Sequence, residues 1–185
     1  ASDLIFISML NSFILDFIIR NKVSSSLNVF YLNQIPVPRI GLDNIIAKAL
    51  VPRSLRLICS SYEYKEFWSE VAPAINFSII NTSNAPLFYP SKVDFSQCNN
   101  EWCESCIVDG KTDTSNRYDI DDRAQLRAEI DAIIAHLYGL NCDEMSYILD
   151  TFTALRNGEE REFGEFRSKR MILEEMKRLE ECQNA

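Results

Sequence analysis

The stretch from Asp121 to Leu140 constrains this chain more than any other. Leu126, Ile130, Ile133, Ile134 and Leu137 recur at helical spacing, which puts them on one face of an α-helix. Asp121 or Asp122 is placed to cap its start. Gly139 is placed to stop it, because glycine takes the left-handed backbone of a helix end without steric cost. A second helix, capped by Asp143, brings Met145, Ile148, Leu149 and Phe152 into phase. Two adjoining helices with apolar faces must bury them against other elements, so a largely helical fold is expected.

The other end of the chain makes a similar demand. Leu4, Ile7, Leu10, Ile14, Phe17 and Ile18 share one face of a helix over 3–21, thickened by Phe6, Met9 and Phe13. Asn11, Ser12 and Asp16 interrupt this run, and it falls short of the roughly 20 apolar residues a membrane span needs. It reads as a buried helix, and no membrane partner is expected. A chain that opens directly on a core helix is expected to be the tail of a longer protein.

Between these ends the pattern is mixed. Asn28 to Ile35 alternates as a strand and is closed by Pro36-Val37-Pro38. Asp43 to Leu50 reads as a short helix, with Pro52 restarting the chain. Ser54 to Ser60 fits helix or strand, and Tyr62 to Val71 fits a helix anchored by Phe67 and Trp68. Residues 72–92 are irregular, and 93–119 read as a polar surface excursion. Residues 156–164 read as a charged loop ending at Gly164, before a last helix from Glu165 to about Cys182 laced with i,i+4 charge pairs. The expected class is therefore mostly α with a minor β component (α+β). The expected divisions are 1–71, an irregular linker or insertion over 72–119, and a helical tail over 120–185.

Charge limits the choice of partner. The net charge is −8, which argues against a surface built as a whole to hold nucleic acid. Residues 1–71 nonetheless hold seven Lys/Arg against six Asp/Glu, whereas 121–185 hold nine against fifteen. Any nucleic-acid contact is expected at the front, where Arg20, Lys22, Ser24, Ser25, Ser26 and Asn28 form a polar, partly basic connection, with Arg39 beyond it. Such a loop can hold phosphate through Lys, Ser and backbone N–H groups. It can equally be an ordinary solvent-facing turn.

Candidate chemistry is sparse, and no catalytic residue is assigned. Cys98, Cys103 and Cys106 have the spacing C-x4-C-x2-C, but a structural zinc needs four ligands and no fourth lies close in sequence. No metal is assigned, and these three remain weak candidates. His136, the only histidine, sits beside an apolar helical face and reads as a satisfied helix residue. Glu129 and Asp131, two positions apart, point to different sides of the helix and do not make a carboxylate pair. Five glycines and no glycine-rich loop leave no cradle for a nucleotide cofactor. The six Cys do not form the dense framework of a small secreted scaffold, so a reducing cytoplasm is expected.

Several segments taken in order resemble a known family. They are Leu10-Asn11-Ser12-Phe13-Ile14-Leu15-Asp16-Phe17 with Arg20 and Lys22; Leu27-Asn28-Val29-Phe30-Tyr31-Leu32-Asn33-Gln34-Ile35-Pro36-Val37-Pro38; and Pro52-Arg53-Ser54-Leu55-Arg56-Leu57 with Tyr62 and Phe67. Further on, Asp122 to Ala132, Ala135 to Leu140, Asp143 to Phe152 and Phe163 to Glu174 continue the series. Together they resemble the C-terminal region of restriction-modification-type, adenine-specific DNA methyltransferases, the type IIG-like enzymes of phage defence. The resemblance implies the end of a target-recognition domain followed by a helical tail, not itself catalytic. It implies double-stranded DNA as a partner through the parent protein. It also implies an upstream methyltransferase domain that uses S-adenosylmethionine and flips the target adenine into its pocket. Residues 91–119 have no counterpart in it. Two other classes remain open: a helical protein–protein interaction module built on the charged last helix, and a zinc-bound binding domain.

Overall fold

Ser12 breaks the apolar N-terminal run into two helices, α1 (Ser2–Leu10) and α2 (Phe13–Lys22). Its hydroxyl donates to the Met9 carbonyl at 2.7 Å and accepts the Leu15 N–H at 3.3 Å, closing one helix and capping the next. The first N–H of α2, on Phe13, goes to Asp131 Oδ1 at 3.0 Å. The single helix expected over 3–21 is thus a pair bent by 59°. Leu4, Ile5, Met9, Ile14 and Leu15 are buried, while Phe6 and Ile7 reach the surface. Among the described residues no single helix is long and apolar enough to cross a membrane.

The computed structural model describes residues 2–23, 28–59, 61–77, 80, 89–96, 98, 99, 101, 102 and 120–184. It is mostly helical, with no strand among those residues. The strand expected over Asn28–Ile35 is instead a short helix, α3 (Val29–Leu32), followed by a turn. The cause is local. The Asn28 side chain accepts the Tyr31 N–H at 3.2 Å, and no neighbouring strand offers a ladder among the described residues.

Pro52 does not restart the chain but lies inside one continuous helix, α4 (Ile45–Ile58), capped by Asn44. A proline in a helix interior forfeits a hydrogen bond and costs about 3 kcal/mol. Here every residue from Ala49 to Leu55 is buried, and that packing outweighs the loss. A 3-10 turn (Tyr62–Tyr64) leads into α5 (Lys65–Val71), matching the helix expected over Tyr62–Val71.

The segment expected as a surface excursion from residue 93 begins inside the protein: Val93, Phe95 and Cys98 are buried. Trp68 explains why. Its wholly buried ring stacks on Phe77 at 5.7 Å and meets Trp102 edge-on at 6.3 Å, and Phe95 lies 6.5 Å beyond Phe77. Trp68 Nε1 donates to the Asn99 carbonyl at 3.3 Å.

The long helix is α6 (Ile120–Leu137), and Leu126, Ile130, Ile133 and Ile134 are buried as their spacing requires. Asp121 and Asp122 lie within its first turn rather than at its cap. Gly139 ends it at φ 70°, with Gly139 N–H on His136 O and Leu140 N–H on Ala135 O, both at 2.9 Å. In α7 (Cys142–Asp150) the cap is Asn141, in a reciprocal box with Glu144, so Asp143 is a first-turn residue. The charged loop expected over 156–164 is a helix, α8 (Thr153–Phe163), which Gly164 terminates at φ 78°. It buries none of its residues, so its sequence carries no apolar stripe to announce it. The last helix, α9 (Arg167–Asn184), starts two residues later than expected. Helix α6 packs against α4 and α9, α1 packs on α4, and α7 packs on α9 and α2. Residues from 1–71, 89–98 and 120–185 contribute to one core cluster.

Candidate functional site

Arg53 projects from α4 among Leu50, Val51 and Leu55, a place where a charge needs complete compensation. Its Nε meets Glu129 Oε2 of α6 at 2.6 Å, with both side chains wholly buried. Its Nη1 donates to Ala49 O at 2.7 Å and its Nη2 to Tyr89 O at 2.8 Å. The Glu129 carboxylate also accepts from Ser91 Oγ at 2.7 Å, the Lys92 N–H at 2.8 Å and Gln125 Nε2 at 3.1 Å.

A second carboxylate, Glu175 of α9, extends the cluster. It accepts from the Tyr89 hydroxyl, from Gln125 Nε2 at 2.8 Å and from Arg178 Nε at 2.8 Å, and it pairs with Lys92 Nζ at 2.5 Å. Burial alone would raise its pKa. The hydrogen bonds from Lys92, Tyr89 and Gln125 and the Arg178 charge outweigh burial and hold it below the ordinary carboxylate value. Arg178 reaches back to Pro90 O at 2.7 Å. The Tyr89 ring lies between two guanidinium groups, Arg178 at 4.2 Å and Arg53 at 5.0 Å. Burial, then the charges of Glu129 and Glu175, push the Tyr89 phenol upward, so it stays a donor.

This cluster clamps the Tyr89–Lys92 stretch between the N-terminal helices and the C-terminal ones. Both carboxylates have their oxygens occupied, and no nucleophile–base pair opens from it. Its chemistry is that of a lock. Sequence reasoning leaves Glu129 on a helix face without a partner, yet Glu129 follows Leu126 by three and precedes Ile133 by four. A charge on the apolar face of α6 is the available signal that a buried cation must lie opposite.

The residues expected to touch DNA are partly engaged with the protein itself. Arg20 pairs with Asp16 at 2.8 Å and lies over the Phe152 ring at 4.9 Å. Lys22 Nζ donates to Gln34 O at 3.1 Å, which joins the end of α2 to the turn after α3. Asn28 is the α3 cap, and Ser24 and Ser25 lie outside the described residues. Arg39 is exposed, with no hydrogen bond or ion pair among the described residues. The positive charge facing solvent here therefore rests on Lys22 and Arg39.

Of the cysteines weighed as zinc ligands, Cys98 is buried against the aromatic cluster side of the core, and Cys103 and Cys106 lie outside the described residues. Among the described residues no group of three His, Cys, Asp or Glu side chains could hold a metal ion. His136 Nε2 lies 3.1 Å from Gln183 Nε2 of α9. Asp131 is buried, and it receives the Phe13 N–H. The described glycines, Gly41, Gly139, Gly158 and Gly164, lie at a turn, at two helix ends and inside a helix. No protein-family model, curated protein or solved structure matches the chain.

Proposed function

We propose that this chain is the non-catalytic, C-terminal part of an adenine-specific DNA methyltransferase of restriction-modification type, which braces the end of the target-recognition region. One observation carries the reading. Two of the segments that bear the resemblance, Pro52–Leu57 and Asp122–Ala132, meet through the buried Arg53–Glu129 pair. Such a pair stiffens the recognition end against the helical tail, which is what a brace does. Double-stranded DNA is the partner in this reading, met through Lys22 and Arg39 beside the recognition surface. S-adenosylmethionine belongs, in this reading, to the upstream methyltransferase domain that the resemblance implies. The setting is the cytoplasm.

The test is a gel-shift titration of the full-length parent on duplex DNA at low salt. Lys22→Glu and Arg39→Glu are expected to weaken binding and to reduce its salt dependence by about one ion for each phosphate that is no longer neutralised. If neither variant changes affinity or salt slope, the DNA-facing assignment is wrong.

A second reading, a helical protein-interaction module, draws support from Val29 and Phe30, which stand 69% and 68% exposed on α3. On α9, Glu175 and Arg178 are engaged inside the protein, whereas Arg170, Glu174, Lys177, Glu180 and Glu181 are exposed. Light scattering separates the two: a brace stays monomeric, and Phe30→Ser leaves that state unchanged.

A further inference from the structure

Helix α8 has eleven residues and buries none of them. The helices before and after it are joined without it: Asp150, at the end of α7, pairs with Lys169, in the first turn of α9, at 2.7 Å. Residues 151–166 therefore leave the body of the protein and return to it within the reach of one ion pair. The chain turns at each end of α8. Phe152, at the start, has a non-helical backbone and no side-chain cap, and Gly164, at the end, takes φ 78°. An element with few buried contacts, set between two such turns, is built to move as a unit.

Leu155, Glu159 and Phe163 follow one another at intervals of four, so they share one face of α8. All three line a groove of about 720 Å³, whose other walls include Ile7 of α1, Leu57 of α4 and Met171 of α9. A close-packed core leaves few voids larger than a water molecule, so α8 overhangs this space without filling it. Phe163 accordingly stays 43% exposed. The same face is tied to α9. Glu159 accepts the Ser168 N–H at 2.8 Å and the Ser168 hydroxyl, and Arg167 lies over the Phe163 ring at 5.0 Å. The Ser168 N–H is among the first of α9, which that helix cannot satisfy itself, so Glu159 caps α9 from outside. The Arg156–Glu160 pair is internal to α8 and ties it to nothing else.

We propose that α8 is a lid over this groove, which swings on its two end turns and is held shut by the contact of Glu159 with Ser168. Opening uncovers the groove walls to molecules in solution, and closing covers them again. Hydrogen bonds to a carboxylate are stronger than neutral ones, so this contact is the main hold on the closed form. Both of its residues are half-buried, so water can replace it when the lid opens.

The experiment places nitroxide labels at Arg161→Cys on α8 and Lys177→Cys on α9 and measures their separation by pulsed electron resonance. The intact chain is used, with Cys103, Cys106, Cys142 and Cys182 replaced by serine; Cys59 and Cys98 are buried and stay. Both labelled sites are exposed and lie off the groove. A second distance is expected beside that of the closed form. Glu159→Ala is expected to raise its ratio to the closed form by about tenfold, the size of one charge-assisted hydrogen bond. Ser168→Ala, which keeps the N–H, is expected to move the ratio the same way by less, and Glu162→Ala, off the groove face, to leave it unchanged. Circular dichroism is expected to show the helix content of the parent throughout, because a lid swings without unfolding. A single distance, a ratio that neither Glu159→Ala nor Ser168→Ala moves, or a second distance that appears only with loss of helix overturns the proposal. Ser168→Ala removes only a half-buried hydroxyl, so it decides the matter even if Glu159→Ala does not fold.

Discussion

Arg53 and Glu129, 76 positions apart, form a 2.6 Å ion pair with no exposure of either side chain. Removing one partner of such a pair leaves a buried charge uncompensated, which costs about 3–5 kcal/mol. Arg53→Met is expected to lose that much in urea denaturation. Arg53→Met combined with Glu129→Leu is expected to lose less than the sum of the two single changes, because neither charge is then stranded. Recovery stays partial, since Ser91, Lys92 and Gln125 also donate to Glu129. Strict additivity in this double-mutant cycle would show that the pair does not couple.

Where a helix faces the core, its residues announce it. The apolar spacing of Leu126, Ile130, Ile133 and Ile134 specifies α6, and Gly139 specifies its end. Helix α8 is hidden because it is held by its Arg156–Glu160 pair and by Glu159 on Ser168, with no buried stripe. The continuity of α4 through Pro52 is hidden because tertiary packing, not propensity, keeps it. The alternation at Asn28–Ile35 misleads because a strand needs a partner that sequence cannot supply, whereas the Asn28 cap acts locally. At the site, the identity of Arg53 as the partner of Glu129 depends on how α4 lies across α6, a relation with no local signature.

The three exposed glycines of the helical tail separate backbone freedom from packing. A Cβ at Gly139, Gly158 or Gly164 would meet nothing within 4 Å. Gly139 and Gly164 have positive φ, so alanine there is expected to cost about 1–2 kcal/mol. Gly158 lies inside α8, where alanine is expected to add about 0.5–1 kcal/mol of stability. Thermal melts of the three variants read the opposite signs directly. A loss at Gly158 comparable to that at Gly139 would contradict the helix.

Cys59 is wholly buried, and burial pushes its thiol up to about 12. A thiol held protonated does not attack, because the thiolate is the nucleophile. In alkylation at pH 8 with mass mapping, Cys182, which is exposed, is expected to react while Cys59 stays unmodified until denaturant is added. Modification of Cys59 at the rate of Cys182 in the native protein would contradict this burial.

Asp131 offers the sharpest pH dependence. Burial raises its carboxyl from 3.8 to about 7, and the Phe13 N–H and the Arg127 charge only partly oppose the rise. A carboxyl with a raised folded pKa binds its proton more tightly in the folded state than in the unfolded one. Below the unfolded value both states are protonated and stability does not change. Between about pH 4 and pH 7 the folded state holds the extra proton, so stability falls as pH rises, and it levels off above the folded value. Asp131→Asn keeps an oxygen acceptor for Phe13 and removes the charge. The variant is expected to match the parent near pH 4 and to exceed it at pH 8 by a few kcal/mol at most, each tenfold preference for the protonated form being about 1.4 kcal/mol. Urea melts of both proteins at pH 4, 6 and 8 measure the difference. Curves that stay parallel across that range would mean that Asp131 titrates as an ordinary surface carboxylate and that the Phe13 N–H does not hold it in the core.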